Sequence, residues 1–257
     1  MLSLKSIEKR FSVGSVNETV LFSDFDLHIF RGEFVSVVGS NGSGKTTLLN
    51  LISGSLACDG GNILLDGKDI TEQSEFRRAA RIGRVFQDPA MGTVPNMTIF
   101  ENLSMAANKG KPFGLTAALN RKKLDDFRQT VSELGLGLED KMHQQVGSLS
   151  GGQRQALSLV MSTLMPLDLL LLDEHTAALD PKTSERIMEL TDRIVRKNGI
   201  TTLMVTHNLH HAVSYGSRLV MLNQGRIRLD VAGEEKKRMR VEDILTVFHE
   251  TEGSREV

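Results

Sequence analysis

The stretch FVSVVGSNGSGKTT (34–47) runs from a short, mostly apolar segment into a glycine-rich loop and a lysine. A run of that kind, bounded by glycine, suits a strand buried on both faces of a parallel sheet. The residues that follow, KTTLLNLISG (45–54), carry apolar side chains at helical spacing and end on Gly54, a helix stop. Strand, loop and helix together are the context that a GxxxxGKT phosphate-binding loop requires. Gly39, Gly42 and Gly44, with Ser40, Asn41 and Ser43 between them, let the backbone curl so that several N–H groups point at one anion. The helix amino terminus adds its dipole. Lys45 is placed to reach the β- and γ-phosphates, the Thr46 hydroxyl to ligate Mg²⁺, and Thr47 joins the same nucleotide-binding set. An ordinary strand–helix turn could use these glycines, but not the whole pattern in this setting.

Such a loop needs a second strand whose terminal carboxylate holds the metal, directly or through water. DLLLLDEHTAALD (168–180) supplies one: four leucines lead straight into Asp173 and Glu174. Asp173 suits the metal. Successive residues leaving a strand point differently, so Glu174 is free to face a water as general base. Taken alone, the pair could equally mark where a buried element meets solvent.

LSGGQ (149–153) narrows the field of nucleotide hydrolases. Ser150 followed by Gly151 and Gly152, then Gln153, at the start of an amphipathic helix forms a second anion site with exposed N–H groups. One triphosphate on Lys45 hardly needs two such sites, which points to a dimer with each nucleotide between one loop and the other subunit's LSGGQ. Read alone, Ser150 is an ordinary N-cap.

Bulk composition sets limits. Lys plus Arg number 31 against 32 Asp plus Glu in 257 residues, so no overall charge invites a polyanion, and no nucleic acid is expected. The run EEKKRMR (234–240) reads as a solvated face. The single cysteine, Cys58, leaves no internal disulfide and fits a reducing compartment. MLSLKSIEKR is charged too early for a secretory signal, and no stretch approaches the roughly 20 apolar residues of a membrane span. If the chain works at a membrane, another chain supplies the spans.

LSLKSI and DLHIF alternate as half-buried strands, and GGNILLDGKDI (60–70) reads as a hairpin. IGRVFQ (82–87), TTLMVTH (201–207), and RLVMLN with RIRLDV around Gln224-Gly225 are further strands. Between about Asp88 and Gly147 the pattern turns helical, in TIFENLSMAANKG and RKKLDDFRQTVSELG. VEDILTVFHE is a last helix. The expected architecture is an α/β core interrupted by a helical insertion.

With GSNGSGKTT, Gln87 in VFQDP, LSGGQ, LLLLDE, the ALD at 178–180 and His207 in VTH in this order, the chain resembles the nucleotide-binding subunits of ABC transporters over almost its whole length. The resemblance implies a P-loop NTPase (RecA-like) α/β core, at 1–87 and 155–230, with an antiparallel β subdomain. It also implies a helical subdomain at 88–154 and a short C-terminal helical extension at 231–257. It implies ATP and Mg²⁺ as cofactors, with Gln87 touching the metal and the attacking water, His207 the γ-phosphate and Asp180 the dimer seam. Phe11 stands where the family stacks an aromatic on adenine. The implied partners are a second copy, integral membrane permeases and, indirectly, an extracytoplasmic substrate-binding protein, with the subunit on the cytoplasmic face. The DEHTAALDPKT variant resembles a subgroup associated with uptake of amino-acid-like solutes such as tryptophan or tyrosine.

The alternatives are a non-transport ABC ATPase of translation or DNA repair, which usually shows two cassettes, a coiled coil or a basic groove, and an ATP-gated module without turnover. Two departures stand out. His175 replaces the proline usual after the general base, removing a fixed φ angle. Ala156 stands where an arginine is usual. His210 and His211, near His207, are expected on an exposed helix rather than at a metal.

Overall fold

The computed structural model describes residues 1–109 and 121–253. The middle of the expected helical insertion and the last residues of the C-terminal extension lie outside these. In chain order the elements are β1 (Leu2–Phe11), β2 (Thr19–Ile29), β3 (Phe34–Gly39), α1 (Lys45–Ser53), β4 (Gly60–Leu65), β5 (Lys68–Asp69) and α2 (Glu75–Arg78). Then come β6 (Ile82–Val85), α3 (Ile99–Ala106), α4 (Leu124–Ser132), α5 (Gly151–Thr163), β7 (Leu169–Asp173) and α6 (Pro181–Asn198). The chain ends with β8 (Thr201–Val205), α7 (Leu209–Ser214), β9 (Arg218–Asn223), β10 (Arg226–Ala232), α8 (Gly233–Arg238) and α9 (Val241–Gly253). They form two compact units, Met1–Arg78 with Gly199–Val257, and Ala79–Asn198.

In the first unit, β2, β1, β4 and β5 make an antiparallel sheet in that order. Leu2, Leu4 and Ile7 are buried, but the alternation slips between Leu4 and Ile7, where Ser6 takes φ +47 and the register shifts. Such a bulge is how a strand turns its apolar face without ending. The hairpin read in GGNILLDGKDI is present, its turn residues Asp66 and Gly67 both at positive φ, as a two-residue I′ turn demands. Gln224 and Gly225 repeat the device between β9 and β10. β3 lies between β8 and β9, parallel to both, and its first five residues are buried. A run covered on both faces has no polar side to show, which is why it reads as continuous apolar sequence.

Val38, Ala212, Leu219, Met221, Val231 and Ile244 form one apolar cluster, with Met239, Val247 and Phe248 packed at its edge. The C-terminal helix α9 is therefore part of this unit's core. Two expectations fail here. EEKKRMR is not a solvated face throughout: Lys236 in α8 is 3% exposed, its ammonium donating to the carbonyls of Val213 and Tyr215 at the end of α7. His211 is buried rather than exposed, edge-on to Tyr215, while its neighbour His210 is exposed. One turn of α7 faces the core, and His211 is on that face.

In the second unit β6 and β7 pair in parallel, Ile82 with Leu169 through Val85 with Leu172, and every residue of β7 is buried. Helix α3 starts from a capping box in which the Thr98 side chain accepts from Glu101 N and Glu101 bonds back. The 18-residue α6 buries the stripe Ile187, Met188, Leu190, Thr191 and Val195. Helix α5 departs from the amphipathic expectation: Gln155 to Val160 are all buried, so its middle turns are covered on every side. Ala156 is fully buried there, where an arginine would have to bury its charge.

Candidate functional site

In the first unit the phosphate loop leaves β3 at Gly39 and enters α1 at Lys45. A side chain at Gly39 would bring its Cβ within 2.2 Å of the Leu222 carbonyl oxygen, so only glycine fits. Gly44 caps α1 at φ +105 and offers the helix's first N–H groups no side-chain acceptor, which leaves this terminus open to an anion. The Lys45 side chain is buried and its ammonium donates to the carbonyls of Gly39 at 2.8 Å and Ser40 at 2.9 Å. The cation is thereby folded back onto the loop. Ser43 Oγ is buried without a hydrogen-bond partner. A buried hydroxyl without a partner is costly, and a phosphate oxygen would satisfy it. Asn41, Gly42 and Thr46 are exposed and Thr47 half-buried along the same loop and first turn. These residues fit a bound polyphosphate.

β8 runs parallel to β3, Val37 opposite Val205, so its carboxyl end lies at the same edge as the loop. Thr206 donates its N–H to the Val37 carbonyl, and His207 follows, exposed. The first unit therefore brings His207 to the strand end beside the loop. Phe22 of β2 packs under the loop, since a Cβ on Gly44 would sit 2.8 Å from its ring. The same hairpin carries Phe11, opposite Thr19 and 39% exposed, with the Lys9 ammonium 5.6 Å from its ring centre. Phe11 is thus not a core residue, and its ring is available for stacking.

The remaining predicted residues belong to the second unit. Asp173 ends β7 and is buried, and its Oδ2 receives Arg84 Nη2 at 2.7 Å, both side chains 11% exposed. The sequence reading missed Arg84. Its signal is a lone cation inside the apolar strand IGRVF. The second carboxylate oxygen, Oδ1, is the one suited to a metal ion or a metal-bound water, and a carboxylate oxygen suits Mg²⁺. Glu174, half-buried, takes φ +45, a left-handed conformation rare outside glycine. Gln87 is exposed two residues beyond the end of β6. Beside it the Phe86 carbonyl accepts from Gln155 Nε2 of α5 at 3.1 Å, tying the glutamine segment to the signature helix.

That helix starts at the signature. Ser150 is its N-cap, accepting from Gln153 N at 3.2 Å while Gln153 Oε1 accepts from Ser150 N. Ser150 and Gly151 are exposed, whereas Gly152 is pressed against α6: a Cβ there would meet Thr183 Cγ2 at 2.4 Å. Gln153 Nε2 also donates to the Leu136 carbonyl. Asp180 is exposed and caps α6, Oδ1 accepting from Thr183 N at 3.1 Å. The Thr183 side-chain and backbone bonds hold its carboxyl below the usual aspartate range. The signature and Asp180 therefore share one end of the α5–α6 pair.

Of the apolar residues beyond Gln87, Met91 is 68% exposed, and Val94 and Met97 are also on the surface. Ile99 and Phe100 are buried, so these two fill the insertion's own core.

Comparison with known proteins identifies the family. The family model described as "ABC transporter" matches residues 22–177. The chain is 50% identical over 248 residues to the tyrosine transport ATP-binding protein of Clostridioides difficile, covering 96% of this chain and 98% of that one. It is 34% identical over 237 residues to the spermidine/putrescine import ATP-binding protein PotA of Haemophilus influenzae, covering 91% of this chain but only 59% of that relative. Among solved structures, it resembles the dimeric post-hydrolysis state of the ATP-binding cassette MJ0796 bound to ADP and Pi. There the TM-score is 0.76 at 27% identity, over 90% of this chain and 98% of that one. It also resembles cbiO1 from Clostridium perfringens, part of the ABC transporter complex cbiONQ, with TM-score 0.75 and 26% identity over all of this chain and 93% of that one. Matched by the family over more than half its length and half-identical to a relative it covers almost end to end, the chain belongs to the ABC transporter ATP-binding family, whose members hydrolyse ATP to drive transport.

Proposed function

We propose that this chain is the ATPase subunit of an uptake system for an amino-acid-like solute, working as an ATP-closed homodimer on separate permease subunits at the cytoplasmic face of the membrane. An extracytoplasmic binding protein would deliver the solute. The observation that carries the dimer is the exposed start of α5: Ser150 and Gly151 offer a second anion-binding helix terminus besides the phosphate loop. The tyrosine-transport name of the half-identical relative supports the solute class. Among the described residues no helix is long and apolar enough to cross a membrane, and separate permease subunits would supply the spans. The exposed Met91, Val94 and Met97 beside Gln87 suit the permease contact.

Each side chain then has a task. The loop N–H groups and the Ser43 hydroxyl hold the phosphates of ATP, with Phe11 stacked on its base. Lys45 exchanges its two carbonyl partners for the terminal phosphates, where a charge-assisted bond is the stronger one. Thr46 and Asp173, with Gln87, would hold Mg²⁺, which when bound neutralises phosphate charge. Glu174 accepts the proton of the attacking water, Gln87 orients that water, and His207 holds the γ-phosphate side. Ser150, Gly151, Gly152 and Gln153 of the second copy would close over the nucleotide, with Asp180 at the seam.

Glu174→Gln tests this. It keeps shape and leaves Asp173 untouched, but loses proton-accepting power. Hydrolysis should fall by roughly 10²–10⁴. The undischarged ATP should then hold the variant as an ATP-dependent dimer in size-exclusion chromatography, and adding Ser150→Arg should abolish that dimer. An ATP-loaded Glu174→Gln protein that stays monomeric refutes the composite site, and turnover at the wild-type rate refutes the general-base role.

A further inference from the structure

The acid proposed as general base is followed by a turn. Ala177 N donates to the Glu174 carbonyl at 2.9 Å, which puts His175 at the second position of a four-residue turn. Proline is favoured at that position because its ring sets φ in advance. Histidine carries no such constraint, and here its side chain makes a bond of its own. His175 is 2% exposed, and its Nε2 lies 3.1 Å from Thr191 Oγ1, which is itself fully buried in the middle of α6. The Thr191 hydroxyl donates its own proton to the Ile187 carbonyl at 2.7 Å. Its oxygen is therefore the acceptor, and His175 carries the proton on Nε2.

The segment is fastened to α6 a second time. Leu179 N bonds the Thr176 carbonyl, and Asp180 then caps the first turn of α6 through Thr183. The segment from Glu174 to Asp180 is thus attached to one helix at two points, Asp180 at Thr183 and His175 at Thr191, about 12 Å apart along the helix axis. Between β7 and this double attachment stands Glu174 at φ +45. A non-glycine residue persists in that conformation only when its surroundings over-determine it.

We infer that His175 is a positioning residue for ATP hydrolysis. Its Nε2–H bond to Thr191 does what a proline ring would otherwise do, holding the turn that aims the Glu174 carboxylate. The inference rests on Glu174 being the general base. A side chain that only filled space would affect stability and leave the chemical step alone, so the test separates the two.

The purified full chain is compared as wild type, Thr191→Val, Thr191→Ser, His175→Ala, His175→Ala/Thr191→Val, His175→Pro and Glu174→Gln, measuring kcat and KM for ATP alongside thermal unfolding. Thr191→Val keeps the shape and removes the acceptor. Its kcat should fall about tenfold, the worth of one hydrogen bond, with KM for ATP changed less than twofold. Thr191→Ser should retain kcat. His175→Ala should lose at least as much as Thr191→Val, and the double variant no more than His175→Ala, because both remove one interaction. His175→Pro should recover most of the loss seen in His175→Ala. Should Thr191→Val fail to fold, recovery by proline but not by alanine carries the test. Wild-type kcat in Thr191→Val, additive losses in the double variant, an effect on KM alone, or proline no better than alanine would each overturn the inference. If Glu174→Gln loses turnover while Thr191→Val keeps it, the tether alone is wrong. If Glu174→Gln keeps turnover, the general-base reading fails and the tether falls with it.

Discussion

Arg78 is the last residue of α2 and is buried, yet its guanidinium bonds no carboxylate directly. It donates to four backbone carbonyls: Nη1 to Leu51 at 2.7 Å and Ile52 at 3.1 Å, Nη2 to Thr71 at 2.6 Å, and Nε to Gln73 at 2.9 Å. Leu51 and Ile52 lie in the last turn of α1, whose carbonyls have no partner within the helix. Gly54 ends that helix at φ +81, and a Cβ there would lie 2.8 Å from Arg78 Nε, so the cation sits directly against the helix end. Arg78→Met keeps the apolar stem and removes the donors. Two fully buried carbonyls then lose their partner at about 1–3 kcal/mol each, and two partly buried ones find water. Against this stands relief of a desolvated charge, since burial pulls the guanidinium below the ordinary arginine value. The net loss should be about 2–4 kcal/mol, a large share of the roughly 5–15 kcal/mol a domain holds. At about 2–4 °C per kcal/mol for a chain of this size, the unfolding midpoint should drop by roughly 10 °C. Urea titration should show a lower midpoint at unchanged m. A shift under about 0.5 kcal/mol would mean that water or another donor reaches Leu51 and Ile52, and the capping argument would be wrong.

Lys45→Ala should reduce steady-state phosphate release to near background, because the motif aims no other side-chain cation at the terminal phosphates; near-wild-type turnover would contradict the assignment. Burial brings the Lys236 ammonium down to about 8. Above that pH the folded protein has released a proton that the unfolded chain keeps to about 10.4. The burial cost therefore stands in full below about pH 8, and stability rises with pH from there to about 10.4, by at most about 1.4 kcal/mol per unit. Lys236→Met should remove that rise, and parallel urea-unfolding curves for variant and wild type at about pH 7 and pH 10 would refute it. Single cysteines at Met91, Val94 or Met97 should cross-link to a co-expressed permease, whereas cross-links confined to another face would move the docking surface elsewhere.

Much of the nucleotide chemistry was written locally. The phosphate loop needs a strand, a glycine turn and a helix in immediate succession, and FVSVVGSNGSGKTT carries all three in one contiguous stretch. The same holds for the Ser150 cap, whose partner Gln153 is three residues on, and for the apolar strand ending in Asp173. Local order could not say what a side chain meets across the fold. Arg84 finds Asp173 from 89 residues away, and His175 finds Thr191 only because α6 turns that hydroxyl toward it. His211 and Lys236 looked exposed from their polar neighbours, yet both are buried, because a helix of six residues shows one face to the core whatever lies beside it in sequence. Among Met91, Val94, Met97, Ile99 and Phe100 the residue types are alike, and only packing separates the three on the surface from the two in the core. Burial and hydrogen-bond partnership depend on which elements are laid against one another, and for residues far apart in the chain the tertiary structure alone decides that.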